Sequence, residues 1–126
     1  MSKYVDGFVL VVPKDKRKEY KKMAEEGRES WMKHGALHYF ECIGDDLGQQ
    51  EMGTEKSRSF KEMAGAGDDD DVWFSFIVFE SKAQRDEINK KVLAEMDEAY
   101  KVKSDFVSPF EMSKMAYGGF ESAVEG

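Results

Sequence analysis

The sequence has little of what several function classes require. Cys42 is the one cysteine among 126 residues, so no intrachain disulfide framework can form. There are two prolines, and 40% hydrophobic stands against 36% charged, which is a globular composition and not a disordered one. Lys and Arg number 19 against 26 Asp and Glu, a net charge of -7. Most of such a surface repels a phosphate backbone, so nucleic acid is disfavoured as a partner, and an anionic membrane for the same reason. No stretch approaches the roughly 20 apolar residues needed to span a bilayer, and Met1 to Asp6 carry no basic leader with an apolar core. A cytoplasmic location away from membranes is therefore expected. There is also no GxGxxG, no Walker A loop, no GxSxG and no paired CxxC. Nucleotide binding, serine hydrolysis and structural zinc lose their usual support, and no cofactor is expected.

The apolar content is concentrated in short runs. YVDGFVLVV at Tyr4–Val12 and VWFSFIVF at Val72–Phe79 predict strands covered on both faces, the first closed by Pro13. LHYFECIG at Leu37–Gly44 predicts another, and Lys114–Val124 a last one, where Gly118 and Gly119 point to a bulge or a close backbone approach. Between the first two in chain order, Tyr20, Met23, Ala24, Gly27 and Trp31 recur at helical spacing from Asp15 to about His34, and Gly35 can supply a left-handed cap. Ser81 and Gln84 form a capping-box pattern ahead of a second helix with Ile88, Val92, Met96 and Tyr100 as its buried stripe, broadened by Leu93. The polar stretch Asp45–Asp71 has no sustained period beyond a short helical turn at Phe60–Ala64.

One domain over residues 1–126 is expected, in the order β-α-β, long loop, β-α-β. That is the α+β, ferredoxin-like order: a four-stranded antiparallel sheet with two helices on one face. Two helices leave the other face open although both long strands are apolar on both sides. A second copy of the same sheet would bury it, which predicts a homodimer; in a monomer the long loop would have to cover it.

Candidate site residues follow from polar groups in apolar surroundings. Asp6 shares an alternating face with Tyr4, Phe8 and Leu10, where a carboxylate is costly unless paired. It reads as a general base or as the partner of a buried cation or amide. His34 and His38 are four apart, but Gly35 breaks the helix between them, so no metal site is expected and His34 reads as a helix-terminal group or an acid–base candidate. Glu41 and Cys42 are strand neighbours and point to opposite faces, with Cys42 read as a small core residue. Arg85 and Asn89 share one face of the second helix and could hold a carboxylate or clamp the helix down. Tyr117 and Gly118 could form a pocket wall, although a plain bulge is the simpler reading. The acidic run Asp68–Asp71 reads as a solvated loop.

Several strings are familiar together: YVDGFVL at Tyr4–Leu10, HGAL at His34–Leu37, EC at Glu41–Cys42 with GDD at Gly44–Asp46, and FSF at Phe74–Phe76. SKAQRDEINKKV at Ser81–Val92, SPF at Ser108–Phe110 and YGGFE at Tyr117–Glu121 complete the set. The chain resembles the YbaA-like family of uncharacterised bacterial proteins, a domain-of-unknown-function group. The resemblance implies the dimeric α/β-barrel superfamily with ferredoxin-like protomers, hence a homodimer. It implies no activity, since relatives across that superfamily include cofactor-free monooxygenases, isomerases and haem-dependent enzymes. Phe76, Glu111 and Lys114 depart from the tryptophan, aspartate and arginine usual in the family.

Two function classes follow. One is a protein that binds or converts a small polar-aromatic metabolite in a cavity, using Asp6, His34, Arg85, Asn89, Tyr117 and Gly118. The other is a non-catalytic dimeric module, regulatory or stress-related, that meets a protein partner through its charged surface.

Overall fold

The computed structural model describes residues 2–48, 51–53, 55–102 and 106–126. In order these form β1 (Tyr4–Pro13), α1 (Arg17–Lys33), β2 (His38–Ile43), β3 (Glu51–Met52), β4 (Glu55–Lys56), α2 (Phe60–Ala64), β5 (Asp70–Phe79), α3 (Lys82–Val102) and β6 (Met115–Glu121). Residues 49, 50 and 54 of the Asp45–Asp71 excursion, and 103–105 of the connection before β6, lie outside the described residues.

The two longest apolar runs occupy the middle of the sheet. The four strands lie in the order β2-β5-β1-β6, every neighbour antiparallel. Central strands have both edges paired and both faces available for burial, which suits β-branched and aromatic residues at every position. β3 and β4 pair apart from this sheet as a short hairpin.

The register sorts the side chains into two faces. Tyr4, Asp6, Phe8 and Leu10 of β1 share one face with Ser75 and Ile77 of β5 and with Tyr39 and Glu41 of β2. α1 and α3 lie over this face. The periodic residues Tyr20, Ala24 and Gly27 of α1 are buried, and so are Ile88 and Val92 of α3. Leu93, expected to broaden that stripe, is exposed, because one helical step carries it about 100° away from the line through Ile88 and Val92. The core forms as two clusters: Leu10, Val12, Tyr20, Ala24 and Trp73 in one, and Ala36, Ile77, Phe79, Ile88 and Val92 in the other. Phe8 packs against both and stands at the boundary between them.

The helix ends are fixed by local chemistry. The Ser81 Oγ accepts from the Gln84 N–H at 3.1 Å while the Gln84 side chain accepts from the Glu80 N–H at 2.6 Å, the reciprocal arrangement that the sequence predicts for α3. Gly35, at φ 110, turns the chain out of α1 into β2 with its N–H on the Met32 carbonyl. α2 spans the five residues expected of it, capped by the Ser59 side chain at one end and by left-handed Gly65 at the other.

Three expectations need correction. β6 runs through Gly118 and Gly119 in unbroken register with β1, so there is no bulge, and the strand is shorter than Lys114–Val124. The acidic run is not simply a solvated loop: Asp70 and Asp71 open β5, and buried Asp71 accepts from Arg17 Nε and Nη2 at 2.8 and 2.7 Å. That bidentate pair ties the start of α1 to the sheet. Cys42 is exposed and outside the core, because alternation sends Glu41 beneath the helices and Cys42 to the other face.

That other face carries Phe40, Phe74, Phe76 and Phe120 with Val5 and Val9. α2 packs against one end of it, with Phe60 edge-on to Phe74 and Val11 and Val72 buried. The remainder stays open, and Phe40 and Phe120 are 50% and 61% exposed. None of the described helices is long and apolar enough to cross a membrane.

Candidate functional site

Because α1 and α3 meet the sheet through two separate clusters, a space remains between them. It is a cavity of about 350 Å³, walled by aromatic rings that include Phe8, Tyr20, Trp31, Tyr39, Tyr100 and Phe110. A carboxylate stands in this apolar lining. Glu41 Oε1 accepts from the Tyr20 hydroxyl at 2.8 Å and from the Ser75 hydroxyl, and Oε2 accepts from the Tyr39 hydroxyl at 2.8 Å. Three elements converge here. Ser75 is opposite Glu41 across the β5–β2 ladder, Tyr39 is two residues before it on the same face, and Tyr20 reaches down from α1. Gly27 makes room for the Tyr39 hydroxyl, since a Cβ there would lie 2.8 Å from it. Burial raises the Tyr20 and Tyr39 pKa values, and the Glu41 charge and its hydrogen bonds raise them further, so both hydroxyls stay protonated as donors.

The second polar cluster lies behind the Trp31 side of the cavity. Asp6 is 1% exposed. Its Oδ2 accepts from Asn89 Nδ2 at 3.0 Å, and its Oδ1 faces Arg85 Nε at 3.4 Å. Asn89 in turn accepts from Trp31 Nε1 at 2.8 Å, so one chain of hydrogen bonds joins β1, α3 and α1. Arg85 donates to the Tyr4 hydroxyl at 3.0 Å and the Tyr117 hydroxyl at 3.4 Å, and its guanidinium sits 4.8 Å from the Tyr4 ring centre. Burial would lower the Arg85 pKa, but the Tyr4 hydrogen bond and the Asp6 charge outweigh it and raise the value. Burial and the Asp6 charge likewise raise Tyr117.

Gly119 pairs with Asp6, and its missing side chain lets Tyr4 and Arg85 lie across β6. A Cβ there would meet the Tyr4 hydroxyl and come within 2.7 Å of Arg85 Nη2. Gly119→Ala is therefore expected to destabilise the protein by about 1–3 kcal/mol through overpacking, read as a lower urea midpoint with unchanged slope. An unchanged midpoint would show that Tyr4 and Arg85 move aside freely.

A third group sits at the cavity's edge. Glu95 accepts from Lys33 at 2.8 Å, His34 Nε2 at 2.6 Å and Ser30 at 2.9 Å, joining α3 to the end of α1. These hydrogen bonds hold its carboxyl at about 2 instead of 4.5. A depressed carboxyl adds stability above its ordinary value and loses it as the pH falls from about 4.5 through about 2. Glu95→Gln should flatten the stability–pH profile across that window, and only modestly, since solvent screens the group. Denaturant melts at several acidic pH values check this, and a variant profile parallel to the parent's would refute it.

The structure thus brings four of the sequence-derived candidates together, Asp6, Arg85, Asn89 and Tyr117, in one network. His34 lies elsewhere, on Glu95. Gly118 turns to the opposite face of the sheet, and Gly119 is the glycine that meets Arg85. His38 is exposed on β2, and among the described residues no group of side chains is arranged to hold a metal ion. Tyr20, Tyr39 and Ser75 were missed as partners of Glu41. The available signal was polar residues interrupting apolar runs, Glu41 in LHYFECIG and Ser75 in VWFSFIVF.

Residues 3–112 match the family described as "Protein of unknown function (DUF1428)". The chain is 36% identical over 123 residues to "Uncharacterized protein YbaA" of Escherichia coli strain K12, and equally to that of Shigella flexneri, covering 98% of each chain. With a match along nearly its whole length, from the first core strand through the cavity-lining helices, the chain belongs to the DUF1428 family.

Proposed function

We propose that this protein binds or converts a small, largely apolar metabolite in the cavity between the sheet and the two long helices. The observation that carries the reading is the Glu41 carboxylate, fixed by three hydroxyl donors inside an aromatic-walled space. Ligand sites are characteristically apolar hollows of roughly 300–1,000 Å³ with a few convergent polar groups, and this cavity fits that description. Asp6, with Arg85 and Asn89, serves as the clamp that holds Trp31 and α3 in the wall: Oδ2 accepts from Asn89, and Oδ1, which has no hydrogen bond among the described residues, is held by the charge of the Arg85 guanidinium at 3.4 Å. Asp6 is not among the described residues that line the cavity, and Glu41 takes the ligand-facing role.

The protomer is read as ferredoxin-like and the assembly as a dimeric α/β barrel of two chains in the cytoplasm. Strand order β2-β5-β1-β6 with two crossover helices on one face supports the first, and the open phenylalanine face supports the second.

Native mass spectrometry of freshly purified protein tests the function. The expected species is twice 14.4 kDa plus a small mass that is released on denaturation. A species without added mass, together with a melting temperature that no aromatic metabolite raises, would favour the non-catalytic interaction module.

A further inference from the structure

Resting on the cavity reading above, we infer that the ligand is an organic cation: an ammonium group carried on an apolar, preferably aromatic, body. Three charged side chains line the cavity among the described residues, Glu26, Glu41 and Glu95, and all are carboxylates. They are not equivalent. Glu95 already has Lys33 and His34 against it, so it offers little uncompensated charge. Glu41 is held by neutral hydroxyls of Tyr20, Tyr39 and Ser75 and has no cation among its described hydrogen-bond or ion-pair partners; the Arg28 charge is felt at the Tyr39 hydroxyl, but Arg28 does not line the cavity. Hydroxyl donors stabilise an anion without cancelling its charge, and the surrounding medium is apolar, where charge is felt most strongly.

The hydrogen-bond count agrees with this. A carboxylate has about four acceptor positions, and Glu41 uses three: two at Oε1 and one at Oε2. A ligand N–H can take the remaining position on Oε2. The rings of Tyr20, Trp31, Tyr39 and Tyr100 suit the same guest, because their faces attract a cation while their area buries an apolar body. A carboxylate or phosphate ligand would instead meet Glu41 with like charge and no described Lys, Arg or His in the lining.

The test compares three probes of one skeleton by calorimetry on the unmodified protein at neutral pH: 2-phenylethylamine, 2-phenylethanol and 3-phenylpropionate. The amine should bind roughly ten- to a hundredfold more tightly than the alcohol, because both can donate a hydrogen bond to Glu41 but only the ammonium adds an opposite charge, and the acid should not bind. Glu41→Gln should remove most of the amine's advantage over the alcohol, weakening the amine far more than the alcohol. Tyr39→Phe, which frees Oε2 while keeping the carboxylate, should bind the amine at least as well as the parent. Alcohol equal to amine, or acid tighter than both, would overturn the cation inference and leave the cavity reading standing. Failure of all three probes, with no mass released in native spectrometry, would overturn both.

Discussion

Arg85→Met is expected to lower the unfolding free energy by about 3–5 kcal/mol, the cost of leaving a buried carboxylate without its cation. Asp6 is almost wholly enclosed, and its second partner, Asn89, is a neutral amide. Methionine keeps much of the apolar stem of Arg85 and removes the guanidinium, so packing changes little while Asp6 Oδ1 loses its neighbour. The Tyr117 hydroxyl can turn to water, since that residue is half exposed, and contributes little to the loss. The Arg85 side chain is itself 18% exposed, so water can reach toward the vacated space, and the lower half of the range is favoured. The second substitution makes the test specific. Adding Asp6→Asn removes the stranded charge, and the double variant should recover most of the loss. Urea melts of the parent, both single variants and the double variant give the coupling directly. A double variant no more stable than Arg85→Met alone would mean that Arg85 acts through Tyr4 and Tyr117 and not through Asp6.

This pair also illustrates what could be read from the chain before folding. A carboxylate in an alternating apolar run demands a partner, and Arg85 and Asn89 at helical spacing offer donors on one face. Their meeting was not legible, because Asp6 and Asn89 are 83 residues apart and come together only through the β1–β5 register and the placement of α3. Glu41 was harder still. Alternation predicts that Glu41 and Cys42 diverge without saying which goes under the helices. Helical period marks Tyr20 as an inward residue but is blind to its hydroxyl, and Ser75 becomes a partner only because the ladder sets it opposite Glu41. The paired glycines show the same limit. Their number signalled a close approach, while strand pairing decided that Gly119 faces Arg85 and Gly118 the other side. Local elements were legible because their causes are local: capping at Ser81, the left-handed turn at Gly35 and the short helix after Ser59.

Phe76→Arg should convert the dimer proposed above into a folded monomer. Phe76 lies on β5 at the middle of the open face, stacked on Phe40 with ring centres 5.0 Å apart and tilted against Phe74 at 5.9 Å. Gly7, its β1 partner, and Gly118 beyond carry no side chain, and the Phe120 ring leans over Gly7, so the surface around Phe76 is broad and aromatic. Monomers rarely leave such a patch in water, and α2 covers only the end near Val11 and Val72. A two-fold contact through this face brings the same region of both copies together, so arginine enters twice in an apolar setting. Like charges facing each other there cost several kcal/mol, which raises the dissociation constant by about a thousandfold or more. The fold itself should survive, because Phe76 belongs to neither core cluster beneath α1 and α3. Sedimentation equilibrium should give twice 14.4 kDa for the parent and 14.4 kDa for the variant, with the same far-ultraviolet dichroism. A variant that remains dimeric places the contact on another surface, and a parent that sediments as a monomer removes the second copy from this face altogether.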